Sequence, residues 1–358
     1  MPETLLKVSG LSVAYDSDHG PVVAVDGVDL ELSAGEFLGI VGESGCGKST
    51  LLFAIAQLLI PPAGVVGGSV AFKGRDMVRL SDAELRAIRW SEFSVVMQSA
   101  MNALNPVKTV YAQMLDVCQT HTDMSGDEIR KRAGEVLKLV SIDPVHLDSY
   151  PHQLSGGMRQ RAMIAMALLF TPDLIIMDEP TSALDVVAQR SLMTQIKELQ
   201  ERLGFAVIFV THDMSLVSHF SDRLMVMYAG QVAELAPTRL LFDEPLHPYS
   251  QGLLDAFPSI RGPRRHLVGI PGSPPDLASP PDGCRFAPRC PSVMARCLTD
   301  APCLLDVDGR LVRCLLYEEG GTGRRVDDPP DGDLAVSLPT SSNGSRDDLE
   351  LTETGLPA

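Results

Sequence analysis

Gly42-Glu-Ser-Gly-Cys-Gly-Lys-Ser-Thr50 is the stretch on which the reading of this chain turns. It fits Gly-x-x-x-x-Gly-Lys-[Ser/Thr], with Gly42, Gly47, Lys48 and Ser49 in the fixed places and Ser44, Gly45 and Thr50 completing the loop. Before it, Glu36-Phe-Leu-Gly-Ile-Val41 is an apolar run suited to a buried strand. After it, Leu51 to Leu59 is apolar and free of breakers, as a helix requires. Strand, glycine-rich loop and helix in that order separate the motif from a chance pattern or an unliganded turn. The glycines let successive backbone N–H groups face phosphate oxygens, Lys48 reaches the β and γ phosphates, and the Ser49 hydroxyl can ligate Mg²⁺. A helix starting near Lys48 adds its positive dipole end.

Working outward, the 358 residues allow about two domains, or one large α/β domain with an appendage. The net charge of −16 is uneven: from Glu318 to Ala358 there are ten acidic residues against three arginines. Such a balance excludes a nucleic-acid binder driven by phosphate contacts. Met1 to Gly10 has neither a basic start nor an apolar core, so no export signal is expected. The longest apolar run, Ala162 to Phe170, is far below the roughly 20 residues of a membrane helix. A cytoplasmic chain follows, whose membrane role would come through partners.

On the N-terminal side, Leu5 to Val13 and Val22 to Leu32 alternate as strands do, and Tyr15 at the end of the first can stack on a nucleobase or sit half-buried on a sheet edge. Beyond the loop helix, Pro61-Pro62-Ala-Gly64 breaks the chain and a strand is expected from Gly68 to Phe72, then a helix over Asp82 to Arg89 and an apolar run, Phe93 to Met97, ending in Gln98. Residues 99–171 carry helical rather than strand signals, which marks an insertion in an alternating α/β chain. Ser125-Gly-Asp-Glu128 has capping-box spacing, with Ile129, Ala133, Val136, Leu137 and Val140 on one helical face. A second helix is expected from Ser155 to Phe170. It begins Leu154-Ser-Gly-Gly-Met-Arg-Gln-Arg161, and Gly156 and Gly157 each weaken a helix start by roughly 1 kcal/mol relative to alanine. Close approach of a ligand to bare N–H groups would explain them.

Asp173-Leu-Ile-Ile-Met-Asp-Glu179 is an apolar strand ending in two carboxylates, and strand C-termini are where open α/β sheets place chemistry. Asp178 suits an Mg²⁺ site and Glu179 the activation of water. Ser182-Ala-Leu-Asp185 opens a helix carrying Leu192, Ile196, Leu199 and Leu203 on one face, capped by Gly204. Phe205 to Thr211 is a further buried strand, delivering His212 to the same sheet edge as a γ-phosphate contact.

In order and spacing these motifs, from about Leu5 to Ala236, resemble the nucleotide-binding subunit of ATP-binding-cassette transporters. The resemblance covers a Walker A motif at Gly42 to Thr50, a Q-loop at Gln98, a signature at Leu154 to Arg161, a Walker B motif at Leu174 to Glu179, a D-loop at Ser182 to Asp185 and an H-loop at His212. It implies a P-loop α/β fold: a mixed-sheet core with an N-terminal antiparallel β subdomain (1–98 and 172–236) and a helical subdomain (99–171). It implies catalysis by Glu179, His212, Lys48 and Gln98, Mg²⁺ at Ser49, Gln98 and Asp178, and ATP held by Tyr15, the Walker A loop and, from a facing ATPase, Ser155, Gly156, Gly157 and Asp185. Met158 stands where many cassettes have Gln, and Leu154 to Leu168 as a whole resembles the oligopeptide, dipeptide and nickel importers.

The C-terminal region, 237–317, is expected to be an irregular, Cys-rich extension without long helices or strands: it runs from His247-Pro-Tyr249 through the proline-rich Gly269 to Asp276 into a cysteine cluster. Five of seven cysteines, Cys284, Cys290, Cys297, Cys303 and Cys314, fall within about thirty residues. Without an export signal, shared metal coordination is expected over disulfides, and spacing alone leaves zinc and iron–sulfur open. The resemblance favours a [4Fe-4S] cluster on Cys284, Cys290, Cys297 and Cys314, with Cys303 extra. Cys46 and Cys118 read as a small loop residue and a packed thiol. The tail, 318–358, has the composition of a disordered segment.

The expected protein is therefore the ATP-hydrolysing subunit of a binding-protein-dependent importer at the cytoplasmic face of the membrane. Its partners would be a second, different ATPase subunit, two permease subunits and, indirectly, a solute-binding protein, with no nucleic acid. Di- or oligopeptides are the expected cargo, ahead of oligosaccharides or nickel. A soluble cassette ATPase acting on DNA or ribosomes is the contrasting class; it typically carries a long coiled coil or a second cassette, and this chain has one cassette and no sustained heptads. A non-hydrolysing assembly protein is disfavoured by the presence of Glu179, His212 and Ser155.

Overall fold

A computed structural model describes residues 3–98, 103–182, 184–256, 269–318 and 324–325. The tail, apart from Glu318, Arg324 and Arg325, and Ala183 of the D-loop lie outside the described residues.

The N-terminal strands β1 (Thr4–Tyr15) and β2 (Val22–Ser33) pair antiparallel, and β1 pairs on its other edge with β4 (Ala63–Phe72). The third strand starts five residues before the expected Gly68. The segment has poor strand composition, but pairing of Tyr15 with Ala63 and Val13 with Val65 supplies the missing preference, and glycines at 67 and 68 relieve a register shift. Gly68 needs its lack of a side chain: φ is +82°, and a Cβ would lie 2.5 Å from the Gly10 carbonyl.

The second sheet is mixed. Strands β6 (Phe93–Val96), β7 (Leu174–Asp178), β8 (Ala206–Val210), β3 (Phe37–Val41) and β9 (Arg223–Tyr228) lie parallel, in that spatial order, and β10 (Gln231–Pro237) continues antiparallel beside β9. All five residues of β3, β7 and β8 are buried, because both sheet faces are covered. Alternate residues of one strand serve opposite cores. Phe37 and Val41 pack with the helical insertion, whereas Leu38 and Ile40 pack with the antiparallel sheet and α1 (Lys48–Ile55). Each such side chain contributes roughly 1.5–3 kcal/mol by leaving water.

The insertion supplies α3 (Val110–His121) and α4 (Gly126–Leu139), after α2 (Asp82–Ile88). Ser125 and Glu128 form the expected capping box, and Ile129, Ala133, Val136 and Leu137 are the buried face of α4. Cys118 packs fully buried in the same core. The signature helix α5 (Gly156–Ala167) ends at Ala167, three residues before the expected Phe170, and the amide of the C-cap Leu168 donates to its last carbonyls. Helix α6 (Val186–Leu203) is capped by Asp185 at one end and by Gly204, with φ +79°, at the other.

Past β10, α7 having been Met214–Phe220, come α8 (Thr238–Asp243) and α9 (Pro248–Asp255). A hairpin of β11 (Leu305–Val307) and β12 (Arg310–Val312) turns on Asp308-Gly309, both with positive φ as a tight primed turn demands. β12 pairs with β10, so the C-terminal region, expected to be irregular, instead carries two helices and a hairpin that extends the mixed sheet, because pairing with the edge of β10 supplies the order its proline-rich sequence lacks.

His247 caps α9 through Nδ1, which accepts from the Tyr249 amide at 2.9 Å. Burial pushes its ring from 6.5 down to about 4. Below pH 6.5 the unfolded chain binds a proton that the folded chain refuses, so stability from this residue is complete above 6.5 and lost as pH falls toward 4. The loss by pH 5 is roughly 2 kcal/mol. The urea midpoint should therefore drop between pH 7 and 5 in the wild type and drop less in His247→Asn, whose side-chain oxygen can still cap the helix. Equal slopes would exclude His247 as the titrating group.

Candidate nucleotide site

The loop Gly42 to Thr50 leaves the C-terminal end of β3 and enters α1. Gly42 (φ +154°) and Gly47 (φ +100°) are compulsory: an added Cβ would meet the Met227 carbonyl oxygen at 2.3 Å and the Ala24 carbonyl oxygen at 2.2 Å. Gly45 also has positive φ, but the space beside it is open. Lys48 is buried and folds back over the loop, its Nζ donating to the Gly42 and Glu43 carbonyls at 2.9 Å each. Tyr15 reaches the same helix, its hydroxyl 3.1 Å from Thr50 Oγ1. Cys46 is buried beside Lys48, and desolvation raises its thiol pKa.

Parallel strands bring the other residues to this edge. The Ser49 hydroxyl donates to Asp178 Oδ1 at 3.1 Å, across from the end of β7. Burial raises the Asp178 carboxyl pKa, and the Ser49 hydrogen bond offsets part of the effect. A hydroxyl and a desolvated carboxylate facing each other beside a lysine are a donor set of the kind that holds Mg²⁺ with phosphate. Glu179 follows in the left-handed region, with φ +44°, its amide bonded to the Val210 carbonyl at 3.0 Å. Its carboxylate accepts from Gln98 Nε2 at 2.8 Å and lies 3.4 Å from His212 Nδ1. Strain of about 1–3 kcal/mol at this residue aims the carboxylate away from the run of β7 and toward the groups from β6 and β8. Gln98, Asp178, Glu179 and His212 thus meet at the C-terminal ends of three adjacent strands.

Residues 25–182 match the ABC transporter family, and residues 233–297 match the family description "Oligopeptide/dipeptide transporter, C-terminal region". The oligopeptide transport ATP-binding protein AppD of Bacillus subtilis is 44% identical over 89% of this chain and 98% of its own length. OppD of Escherichia coli is 42% identical over 87% of this chain and 93% of its own length. Among solved structures, the dimeric post-hydrolysis state of the ATP-binding cassette MJ0796 bound to ADP and Pi superposes with a TM-score of 0.58. It is 33% identical, covering 65% of this chain and 99% of that one. The chain belongs to the ABC transporter family.

It is accordingly an ABC-type ATPase, and the signature helix can be placed within it. Ser155 is the N-cap of α5, its Oγ accepting from the Met158 amide at 3.3 Å. A Cβ on Gly157 would meet nothing within 4 Å, so packing inside the ATPase does not require that glycine. Among the described residues, no hydrogen bond joins Ser155, Gly156, Gly157 or Asp185 to the Gly42 to Thr50 loop. The structure brings together Tyr15, the loop, Gln98, Asp178, Glu179 and His212, and leaves the signature outside that group.

Two residues of the ATPase that the motifs did not single out bear on this site. Gln160, on the signature helix and 3% exposed, donates through Nε2 to the Pro180 carbonyl, one residue past Glu179. Tyr249, wholly buried, accepts the Glu43 amide on its hydroxyl at 3.0 Å. Gln160 stood inside a quoted motif, so its polarity on a helix face was a usable signal. Tyr249 lies 206 positions from its partner and offered none.

In the C-terminal region of the ATPase, Cys284, Cys297 and their neighbours pack together, Cys297 and Cys314 being buried and Cys284 and Cys290 half-buried. Burial is the first cause raising the pKa of Cys284, Cys290 and Cys314, the last pushed up to about 12, and neighbouring cysteines add to each. The Cys284 amide donates to the Cys297 carbonyl at 2.8 Å, and a Cβ on Gly283 would lie 2.4 Å from that oxygen. Cys303 instead acts on Arg313. The chemistry of the four thiols suits a sulfur-ligated group. As placed, however, no three His, Cys, Asp or Glu side chains among the described residues are close enough to hold a metal ion.

Proposed function

We propose that this ATPase is the energy-coupling subunit of a binding-protein-dependent importer of di- or oligopeptides. It would sit on the cytoplasmic face of the membrane through two permease subunits and pair head to tail with a second, different ATPase subunit. The observation that carries the ATPase chemistry is the meeting of the Ser49–Asp178 pair with Glu179, Gln98 and His212 at one sheet edge. The C-terminal match over residues 233–297 supports peptides as the cargo. No helix among the described residues is long and apolar enough to cross a membrane, consistent with attachment through partners.

In this reading the loop amides and Lys48 take the β and γ phosphates, and Tyr15 stacks on the adenine. Ser49 and Asp178, with Gln98, hold Mg²⁺, which when bound neutralises charge on the phosphates. Glu179 orients the attacking water and accepts its proton, and His212 donates toward the γ-phosphate. Ser155, Gly156 and Gly157 of the facing ATPase close the site with a second helix N-terminus, and Asp185 lies along that junction. We assign 1–98 with 172–236 to the core, 99–171 to the helical subdomain and 237–317 to a Cys-rich extension, leaving 318–358 as a tail.

Reconstitution with the permeases and binding protein tests the cargo. ATP turnover should rise with peptide-loaded binding protein; stimulation by nickel or an oligosaccharide in place of peptide would overturn the assignment.

We also propose Cys284, Cys290, Cys297 and Cys314 as ligands of a [4Fe-4S] cluster, a group that would cross-link the extension. The 2.8 Å backbone contact of Cys284 with Cys297 supports this, as does the raising of the Cys290 and Cys314 thiols by neighbouring cysteines. Anaerobically purified protein should contain iron and absorb visible light, both lost in Cys290→Ser; a colourless, zinc-bearing protein would refute it.

A further inference from the structure

We propose that Arg289, reaching in from the C-terminal region, is a positioning residue for the phosphate loop: it neutralises and fixes Glu43 so that no free carboxylate faces an incoming triphosphate. The inference rests on the ATPase reading and adds a residue to it. Glu43 is the second residue of the loop and is gripped at every polar group. Its carbonyl accepts from Lys48 at 2.9 Å, its amide donates to Tyr249 at 3.0 Å, and its carboxylate takes Arg289 Nη1 and Nη2 at 2.8 and 2.9 Å.

The guanidinium is itself held. Nε donates to the Pro271 carbonyl at 2.8 Å, Nη1 also donates to the Tyr228 hydroxyl at 3.3 Å, and Nη2 also donates to the Ile270 carbonyl at 3.4 Å. Its side chain is 5% exposed and lies 5.7 Å from the centroid of the Tyr228 ring, which packs on Tyr249 and Phe286. Two chain segments after β10 thus converge on one loop residue, α9 through Tyr249 and the turn before Cys290 through Arg289.

An ion pair with one buried and one part-exposed partner is a poor device for stability alone, since burying the charge of Arg289 costs desolvation that solvent-screened attraction repays only in part. Its position explains it better. Glu43 lies in the loop that must accept several negative charges, where low dielectric magnifies repulsion from an unpaired carboxylate. The guanidinium cancels that charge, and its bidentate fork also fixes the direction of the carboxylate, which a lysine would not do.

The proposal separates charge from mere pinning by phosphate count. In full-length Arg289→Met, isothermal titration should show ATP affinity falling at least about threefold more than AMP affinity, because repulsion grows with phosphate charge. Adding Glu43→Gln to that variant should return the ATP-to-AMP ratio toward wild type. A ratio changed by less than about threefold, even with a lower melting temperature, would overturn the proposal and leave Arg289 a structural pin. Should Arg289→Met not fold, Arg289→Gln, which removes the charge but keeps a hydrogen-bond donor near Glu43, is read by the same ratio and the same threshold. Because ATP binding is measured directly, an unchanged ratio overturns the Arg289 proposal whatever happens to hydrolysis, whereas absence of hydrolysis in the wild-type protein would bear on the ATPase reading.

Discussion

Glu179→Gln is expected to lower ATP turnover by about 10²–10⁴-fold while ATP still binds, and to accumulate an ATP-bound dimer visible by gel filtration. Glutamine is nearly isosteric and can still accept from Gln98 Nε2 through its carbonyl, so the contact at 2.8 Å and the strained backbone at φ +44° need not change. What disappears is a carboxylate able to take a proton from water. Lys48, Ser49 and Asp178 are untouched, so the groups proposed to hold the phosphates and Mg²⁺ remain. A dimer that binds ATP tightly and cannot discharge it should persist. Wild-type turnover in Glu179→Gln would remove Glu179 from the role of base.

Gly47→Ala is expected to weaken ATP binding by at least about a hundredfold, through geometry rather than charge. The residue is the N-cap of α1 at φ +100°, where an alanine is strained by roughly 1 kcal/mol or more, and its Cβ would stand 2.2 Å from the Ala24 carbonyl oxygen. Backbone on β2 must move or the loop must, and the loop carries Lys48 and Ser49 in the next two positions. Gly45→Ala provides the comparison, since it shares the positive φ (+79°) but has open space. Nucleotide titration of the two variants should rank Gly47→Ala far worse. Similar ATP affinity in Gly47→Ala and wild type would mean that this loop does not hold the phosphates.

Much of the site was legible because its parts are local. A strand buried on both faces reads as an unbroken apolar run, as β3, β7 and β8 do, and each delivers its polar residue immediately after the run ends. Caps were equally local, from Ser125 with Glu128 to Asp185 and Gly204. The start of β4 was not, because Ala63 to Gly68 becomes strand only by pairing with β1. Nor was the grip on Glu43: Arg289 is 246 positions away, and a pair at that separation leaves no periodic trace in one sequence. The spacing of the cysteines pointed to a shared site, but spacing does not specify how closely thiols approach, and among the described residues no three potential ligands come close enough to hold a metal ion.

The pairing of β12 with β10 carries a consequence for any attempt to shorten this protein. A chain ending at Pro237 would lose the strand beside Glu234 and Leu235, opening a row of unpaired backbone groups to any neighbour that can add a strand. It would also strand the Glu234 carboxylate, whose two 2.9 Å amide donors come from Leu246 and His247. The minimal fragment of this ATPase that stays monodisperse in solution should therefore run through Cys314, and shorter ones should aggregate in proportion to their concentration.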